Sequence, residues 1–189
     1  MQDASDDELM RLSGTGDRLA FQRLVARHLK RASSLAGRVT GNRSDAEEAV
    51  QEAFLRAWLK APEWRARDAL TNGATFATWF NRVLVNLCID RVRRPRVDPI
   101  EAADAVSDPA PNPEAVAASG EVARRVADAM AQLPDRQRAA LALCHFEGLS
   151  NAEAGEILEL SVGAVESLLV RARRMLREKL ADLAPHTAG

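Results

Sequence analysis

The sequence predicts an all-α protein: two small helical domains joined by a flexible, acidic, proline-rich linker, with a helix-turn-helix in the second. Three observations predict it. Apolar residues recur at three- and four-residue spacing on both sides of the linker, and residues 1–94 contain no strand pattern. From Pro95 to Ala115 that periodicity lapses, and these 21 residues hold five of the eight prolines together with Asp98, Glu101, Asp104, Asp108 and Glu114 against the single Arg96. From Leu149 to Arg174 the run LSNAEAGEILELSVGAVESLLVRARR reads as a helix, a tight turn and a second helix. The expected division is therefore residues 1–94, a linker over 95–115, and residues 116–189.

In the first domain Leu9, Met10 and Leu12, then Phe21, Leu24, Val25, Leu29 and Leu35, predict two short amphipathic helices separated by Gly14-Thr15-Gly16. After Gly41-Asn42, Ser44 is the expected cap of a helix running to about Lys60. Its Asp45, Glu47 and Glu48 suit the positive end of the helix dipole. One face of this helix is Ala46, Ala49, Val50, Ala53, Phe54 and Ala57. A second face, with Asp45, Glu48, Gln51, Glu52, Leu55 and Leu59, mixes acid and hydrocarbon and is either plain surface or a docking stripe for a partner helix.

Six of the eight aromatic residues fall between positions 54 and 80. Phe76, Trp79, Phe80, Val83, Leu84, Leu87 and Cys88 repeat at helical spacing and predict a core face. Trp64 is expected to be different, because it stands in the loop EWRARDALTNGA with Arg65, Arg67, Thr71 and Asn72, a mixture of stacking and hydrogen-bonding groups suited to unpaired bases. The helix after this loop carries Arg82 and Asn86 and closes with Asp90, Arg91, Arg93 and Arg94 before Pro95 stops it. A basic helix leaves an aromatic-rich loop.

Fully extended, the linker would reach about 70 Å, about two turns of B-DNA. The second domain resumes with Val122, Val126, Ala129, Met130 and Leu133, and Pro134 opens another helix holding Ala140, Leu141, Leu143 and Cys144. Gly148 is placed to end that helix in a left-handed conformation. Ser150 and Glu153 form the S-x-x-E pattern of a capping box. Leu160-Ser161 then turns the chain into a last helix with Val165, Leu168, Leu169, Ala172, Leu176 and Leu180 inward. Gly163, Glu166, Ser167, Val170, Arg171 and Arg174 are left pointing outward. Small residues at its start, Ser161, Gly163, Ala164 and Ser167, let a backbone approach a groove closely, and Arg171, Arg173, Arg174, Arg177 and Lys179 supply charge for phosphates. The alternative for the same residues is a helical hairpin with solvated arginines.

The chain has 189 residues, 47% of them hydrophobic, enough for a real core. No run approaches the roughly 20 apolar residues of a membrane span, and the acidic start MQDASDDELM has no signal-peptide segment, so the cytoplasm is the expected compartment. Cys88 and Cys144 support neither a disulfide framework nor a zinc site, and no other metal or cofactor is expected. His28, His145 and His186 are isolated, with no nucleophile beside a base and no phosphate-binding glycine loop; no catalytic residue and no small-molecule substrate is expected. A formal net charge of −1 is unusual for a chain that binds DNA unaided. The charge is segregated, however, which suits a protein that meets a protein partner and DNA together.

In order, DAEEAVQEAFLRAW, an aromatic loop, FATWFNRVLVNLCIDRVRR, an acidic linker, LPDRQRAALALCHFEGLSNAEAGEIL and SVGAVESLLVRARRML resemble a bacterial RNA polymerase sigma factor of the extracytoplasmic-function group, in the sigma-70 family. The resemblance covers nearly the whole chain and implies a promoter-specific initiation factor for core RNA polymerase. It implies that residues 45–58, with Asp45, Glu48, Gln51, Glu52 and Leu55, face the polymerase clamp. It implies that residues 64–94 recognise and melt the minus-ten element through Trp64, Arg67, Thr71, Asn72, Arg82, Asn86, Asp90, Arg91, Arg93 and Arg94. By the same resemblance Ser161, Gly163, Ala164, Glu166, Ser167, Arg171 and Arg174 read the minus-thirty-five element, and an anti-sigma factor holds the two domains and hides both DNA surfaces. Glu166 and Leu168 depart from the family's common pattern, which is often basic there; Glu166 could accept a hydrogen bond from a cytosine amino group. No further domain is expected after Gly189. The alternative is a stand-alone helix-turn-helix regulator that binds duplex DNA without polymerase, against which the lack of strands in residues 1–94 counts.

Overall fold

The computed structural model describes residues 4–64, 75–94 and 113–181, with the side chains of 113–120 excepted. Among the described residues the structure is helical throughout, with α1 (Asp6–Gly14), α2 (Arg18–Thr40), α3 (Arg43–Lys60), a 3-10 turn (Ala61–Glu63), α4 (Phe76–Arg93), α5 (Pro113–Ala131), α6 (Asp135–Leu141), a wider turn (Ala142–Phe146), α7 (Asn151–Leu158) and α8 (Val162–Lys179). Arg67, Thr71, Asn72 and most of the expected linker lie outside the described residues. The last residues of that linker, from Pro113, already belong to α5, since proline suits a helix's first turn.

The first half is a bundle of α1 to α4. The second helix is a 23-residue rod rather than the expected short segment, and Gly37 within it does not break the helix. Asp17 caps it, and Gly41 closes it in the left-handed region at φ 65°. Immediately afterwards Asn42, two residues earlier than expected, caps α3 by accepting from the Asp45 amide. The predicted face of α3 is buried in full, from Ala46 to Ala57. Its Phe54 meets Phe80 of α4 at 4.7 Å between ring centroids, and Phe80 in turn stacks on Phe76 at 5.4 Å. His28 of α2 lies edge-on to Phe76 while its Nε2 pairs with Asp6 of α1 at 2.7 Å. Asp7 accepts from the Phe76 amide at 3.1 Å, so the start of α4 is tied to α1.

In the second half the local expectations hold closely. Gly148 has φ 69°. Ser150 and Glu153 complete the capping box, with Glu153 accepting from the Ser150 amide at 2.8 Å and Ser150 Oγ accepting from the Glu153 amide at 3.2 Å. The Ser150 hydroxyl, donating to the Glu153 carboxylate at 2.7 Å, and the Ser150 amide together hold that carboxyl below its ordinary pKa. Ser161 caps α8 by accepting from the Ala164 amide. Val165, Leu169 and Ala172 are buried, and Leu168 and Leu176 pack partly covered against the core.

The corner between α7 and α8 depends on Gly155. A Cβ there would stand 2.8 Å from the carbonyl oxygen of Leu160, backbone that cannot move without opening the turn, whereas a Cβ at Gly163 would meet open space. Replacing Gly155 by Ala is therefore expected to cost about 1 to 3 kcal/mol in urea denaturation. Gly163→Ala, on an open helix face, should be neutral or stabilise by up to about 1 kcal/mol.

Candidate nucleic-acid interface

Two exposed rows, one on α4 and one on α8, carry the residue types that recognise nucleic acid. On α4 Asn86, Asp90, Arg93 and Arg94 are exposed, while Arg82 and Arg91 are half-buried. Their apolar neighbours Leu84, Val85, Leu87, Cys88 and Ile89 fix the helix's rotation by burial. Cys88 lies so deep that desolvation, opposed by Arg91 and reinforced by Asp45, pushes its thiol up to about 12; it is an inert packing group. Arg91 approaches Glu48 of α3 to 3.8 Å, an ion pair too long for a hydrogen bond.

The second half packs directly on this helix. Arg82 donates to the carbonyl of Glu156 at 2.9 Å and lies 3.5 Å from the carboxylate of Glu159, the αL residue (φ 55°) that ends α7. Arg93 pairs with Asp135 of α6 at 2.5 Å. Burial by itself raises the Asp135 pKa, but the hydrogen bonds from Arg93 and the Arg136 amide, with the charges of both arginines, outweigh it and hold the carboxyl low. Farther along, Arg31 of α2 pairs with Glu147 at 3.1 Å, and Arg38 lies 4.5 Å above the ring of Phe146. Arg138, only 4% exposed, sits against Gly41 at the end of α2, where a Cβ would be 3.4 Å from its Nη1. Two of the expected minus-ten arginines, the half-buried Arg82 and the still exposed Arg93, thus pair with the second half.

Trp64 requires a correction. It is 6% exposed and packs edge-on against Trp79 at 5.4 Å and Phe76 at 5.9 Å, so no face of its ring is free to stack on a base. The aromatic cluster that α4 opens with absorbs it, and Trp79 is the half-buried member. Its indole Nε1 is buried without a hydrogen-bond partner among the described residues.

On α8 Ser161, Gly163, Glu166, Ser167, Arg171 and Arg174 are exposed and Ala164 is half-buried, as periodicity requires. Val170 joins them at 65% exposure; it stands in the outward row of the sequence but without an expected role. The Ser167 hydroxyl donates to the Gly163 carbonyl at 2.9 Å. Apart from Ala164, this row stays exposed with the described residues of the first half in place.

On α3 the expected docking stripe is partly self-satisfied. Glu52 pairs with Arg56 at 2.8 Å, Asp45 is half-buried, and Glu48 leans toward Arg91. Gln51, Leu55 and Leu59 are open, the two leucines at 51% and 66%.

No helix among the described residues is long and apolar enough to cross a membrane. Among them no cluster of His, Cys, Asp and Glu could hold a metal ion.

The family profile of sigma-70 region 2 matches residues 24–97, and that of sigma-70, region 4 matches residues 123–176. The chain is 35% identical over 181 residues to the ECF RNA polymerase sigma factor SigE of Mycolicibacterium smegmatis, spanning 92% of this chain and 68% of that protein. It is 31% identical to SigW of Bacillus subtilis, across 89% of this chain and 92% of the relative. Among solved structures, that of CnrH in complex with the cytosolic domain of CnrY aligns over 95% of this chain and 99% of the other, with a TM-score of 0.68 and 26% identity.

The ion pairs between the halves predict a charge-sensitive contact. Asp135→Lys combined with Glu159→Lys should raise the radius of gyration in small-angle scattering, an opening that added salt promotes in the unaltered chain. Because the folded-state pKa of Asp135 is depressed, its contribution is full above the ordinary carboxylate range and fades as pH falls through the lowered value. An unchanged scattering profile would leave the contact to apolar packing.

Proposed function

The chain belongs to the sigma-70 family, within its extracytoplasmic-function group, and we propose that it acts in the cytoplasm as a transcription initiation factor that binds core RNA polymerase and directs it to specific promoters. One observation carries this reading: a region-2 and a region-4 match lie on the same chain, each over a helical unit with its own exposed row of polar and charged residues. A stand-alone regulator offers no reason for the first of these.

Its work is positional, and catalysis stays with the polymerase. The open Leu55 and Leu59, with Gln51 and the acidic margin of Asp45, Glu48 and Glu52, form the surface for the polymerase clamp. Asn86, Asp90 and Arg94 with Arg91 meet the minus-ten element, joined by Arg82 and Arg93 when the second half moves away; Arg67, Thr71 and Asn72 belong to the same assignment. Binding to unpaired bases favours strand opening, because each stacked base contributes about 1 to 3 kcal/mol that is available only after melting. Residues Ser161 to Arg174 read the minus-thirty-five duplex. An anti-sigma protein is the expected antagonist, and the similar CnrH structure, which holds the cytosolic domain of CnrY, supports a protein partner on this fold.

Two measurements test this. In mobility-shift titrations the chain alone should bind promoter duplex poorly, because a net charge of −1 gives weak steering, while added core polymerase should produce tight, sequence-dependent binding. Tight specific binding by the chain alone would favour the stand-alone regulator. Changing both Leu55 and Leu59 to Glu should reduce co-purification with core enzyme by at least about tenfold while leaving the helix folded, since both leucines are open to solvent.

A further inference from the structure

The exposed row of α8 is chemically one-sided ahead of its arginines. Glu166 makes no ion pair or hydrogen bond with another described residue, and a carboxylate only accepts. Ser167, beside it, has spent its hydroxyl proton on the Gly163 carbonyl at 2.9 Å and turns only lone pairs outward. One helical turn beyond Glu166 stands Val170, a branched hydrocarbon at 65% exposure on a helix whose other apolar residues, Val162 at its first position apart, are at least partly covered. Donors resume at Arg171 and Arg174.

An exposed valine on a solvated helix face gains nothing from water, yet matches the one apolar group on the floor of the major groove, the C5 methyl of thymine. An acceptor-only pair matches an amino group there. Cytosine N4 qualifies without conflict, whereas the adenine amino group lies beside the N7 acceptor, and guanine presents only acceptors, O6 and N7. Gly163, with no Cβ and open space around it, lets the backbone at the head of this row approach the bases.

We infer that α8 carries a reading face of acceptors and hydrocarbon, in which Glu166 selects a cytosine and rejects guanine while Val170 reads the methyl of a nearby thymine. Side chains four apart on a helix are separated by about 6 Å, so the two bases lie within about two base-pair steps of 3.4 Å. Specificity then comes as much from the base that the carboxylate repels as from the one it accepts. The inference rests on α8 occupying the major groove, the reading proposed above.

The test uses the full chain assembled with core RNA polymerase and a duplex pool randomised across the minus-thirty-five and minus-ten blocks. The unaltered protein is expected to enrich cytosine at one upstream position and thymine within two base pairs of it. Glu166→Arg should convert that cytosine to guanine, with a preference of at least about tenfold, and leave the other positions alone. Replacing the selected thymine by deoxyuridine, which lacks the methyl, should weaken binding about fourfold for the unaltered protein and not at all for Val170→Ala. Selected sequences that are the same for Glu166→Arg, or an equal deoxyuridine effect in both proteins, would overturn the assignment while leaving α8 in the groove. If the unaltered protein enriches no base in the upstream block, the groove placement itself falls, and this inference with it.

Discussion

The apolar surface of α4 has to satisfy two sets of neighbours at once, and that constraint sets what the molecule can present. Phe76 and Phe80 lock its beginning into the ring cluster with Phe54, Trp64 and His28. Leu84, Leu87 and Cys88 are buried farther along it, and the helix packs against α2 and α3 as well as against α6 and α7 of the second half. With so much of the circumference covered, the polar residues of α4 are confined to a narrow row, and two of its arginines become ties to the second half. The helix that carries the exposed polar row proposed to meet DNA is also the helix on which the second half packs.

Much of the architecture could be read locally. The capping box at Ser150, the left-handed Gly148, the Ser161 cap and the alanine-rich face of α3 each depend on residues within one or two turns, where sequence spacing and geometry coincide. Competition between adjacent caps was harder to read. Asn42 rather than Ser44 caps α3 because the chain leaves Gly41 in the left-handed region and Thr40 Oγ1 donates to the Asn42 carbonyl, fixing the turn two residues earlier. Trp64 was misread for a related reason. In its own segment nothing apolar repeats, and the partners that bury it, Phe76 and Trp79, come from the next helix.

What the sequence could not reveal is the docking of one half on the other. Arg82 with Glu159, Arg93 with Asp135 and Arg31 with Glu147 are pairs far apart in the chain with no periodic signature. The arginine and acidic residues involved read as solvated charge until the helices are in place. Gly41 illustrates the same limit, since its role as a left-handed cap is local but the close passage of Arg138 is not. On α8 the row itself is legible, whereas the exposure of Val170 depends on how the helix packs.

Glu159 joins α4 to the corner between α7 and α8. A residue with a side chain at φ 55° occupies a conformation that glycine adopts without penalty, so a chain shaped for turn stability alone would carry glycine at this corner. The glutamate instead sets a carboxylate beside Arg82 from the very residue where α7 gives way to α8. The corner therefore carries charge as well as shape, because the residue that turns the chain from α7 into α8 also stands 3.5 Å from Arg82 and ties the second half to α4.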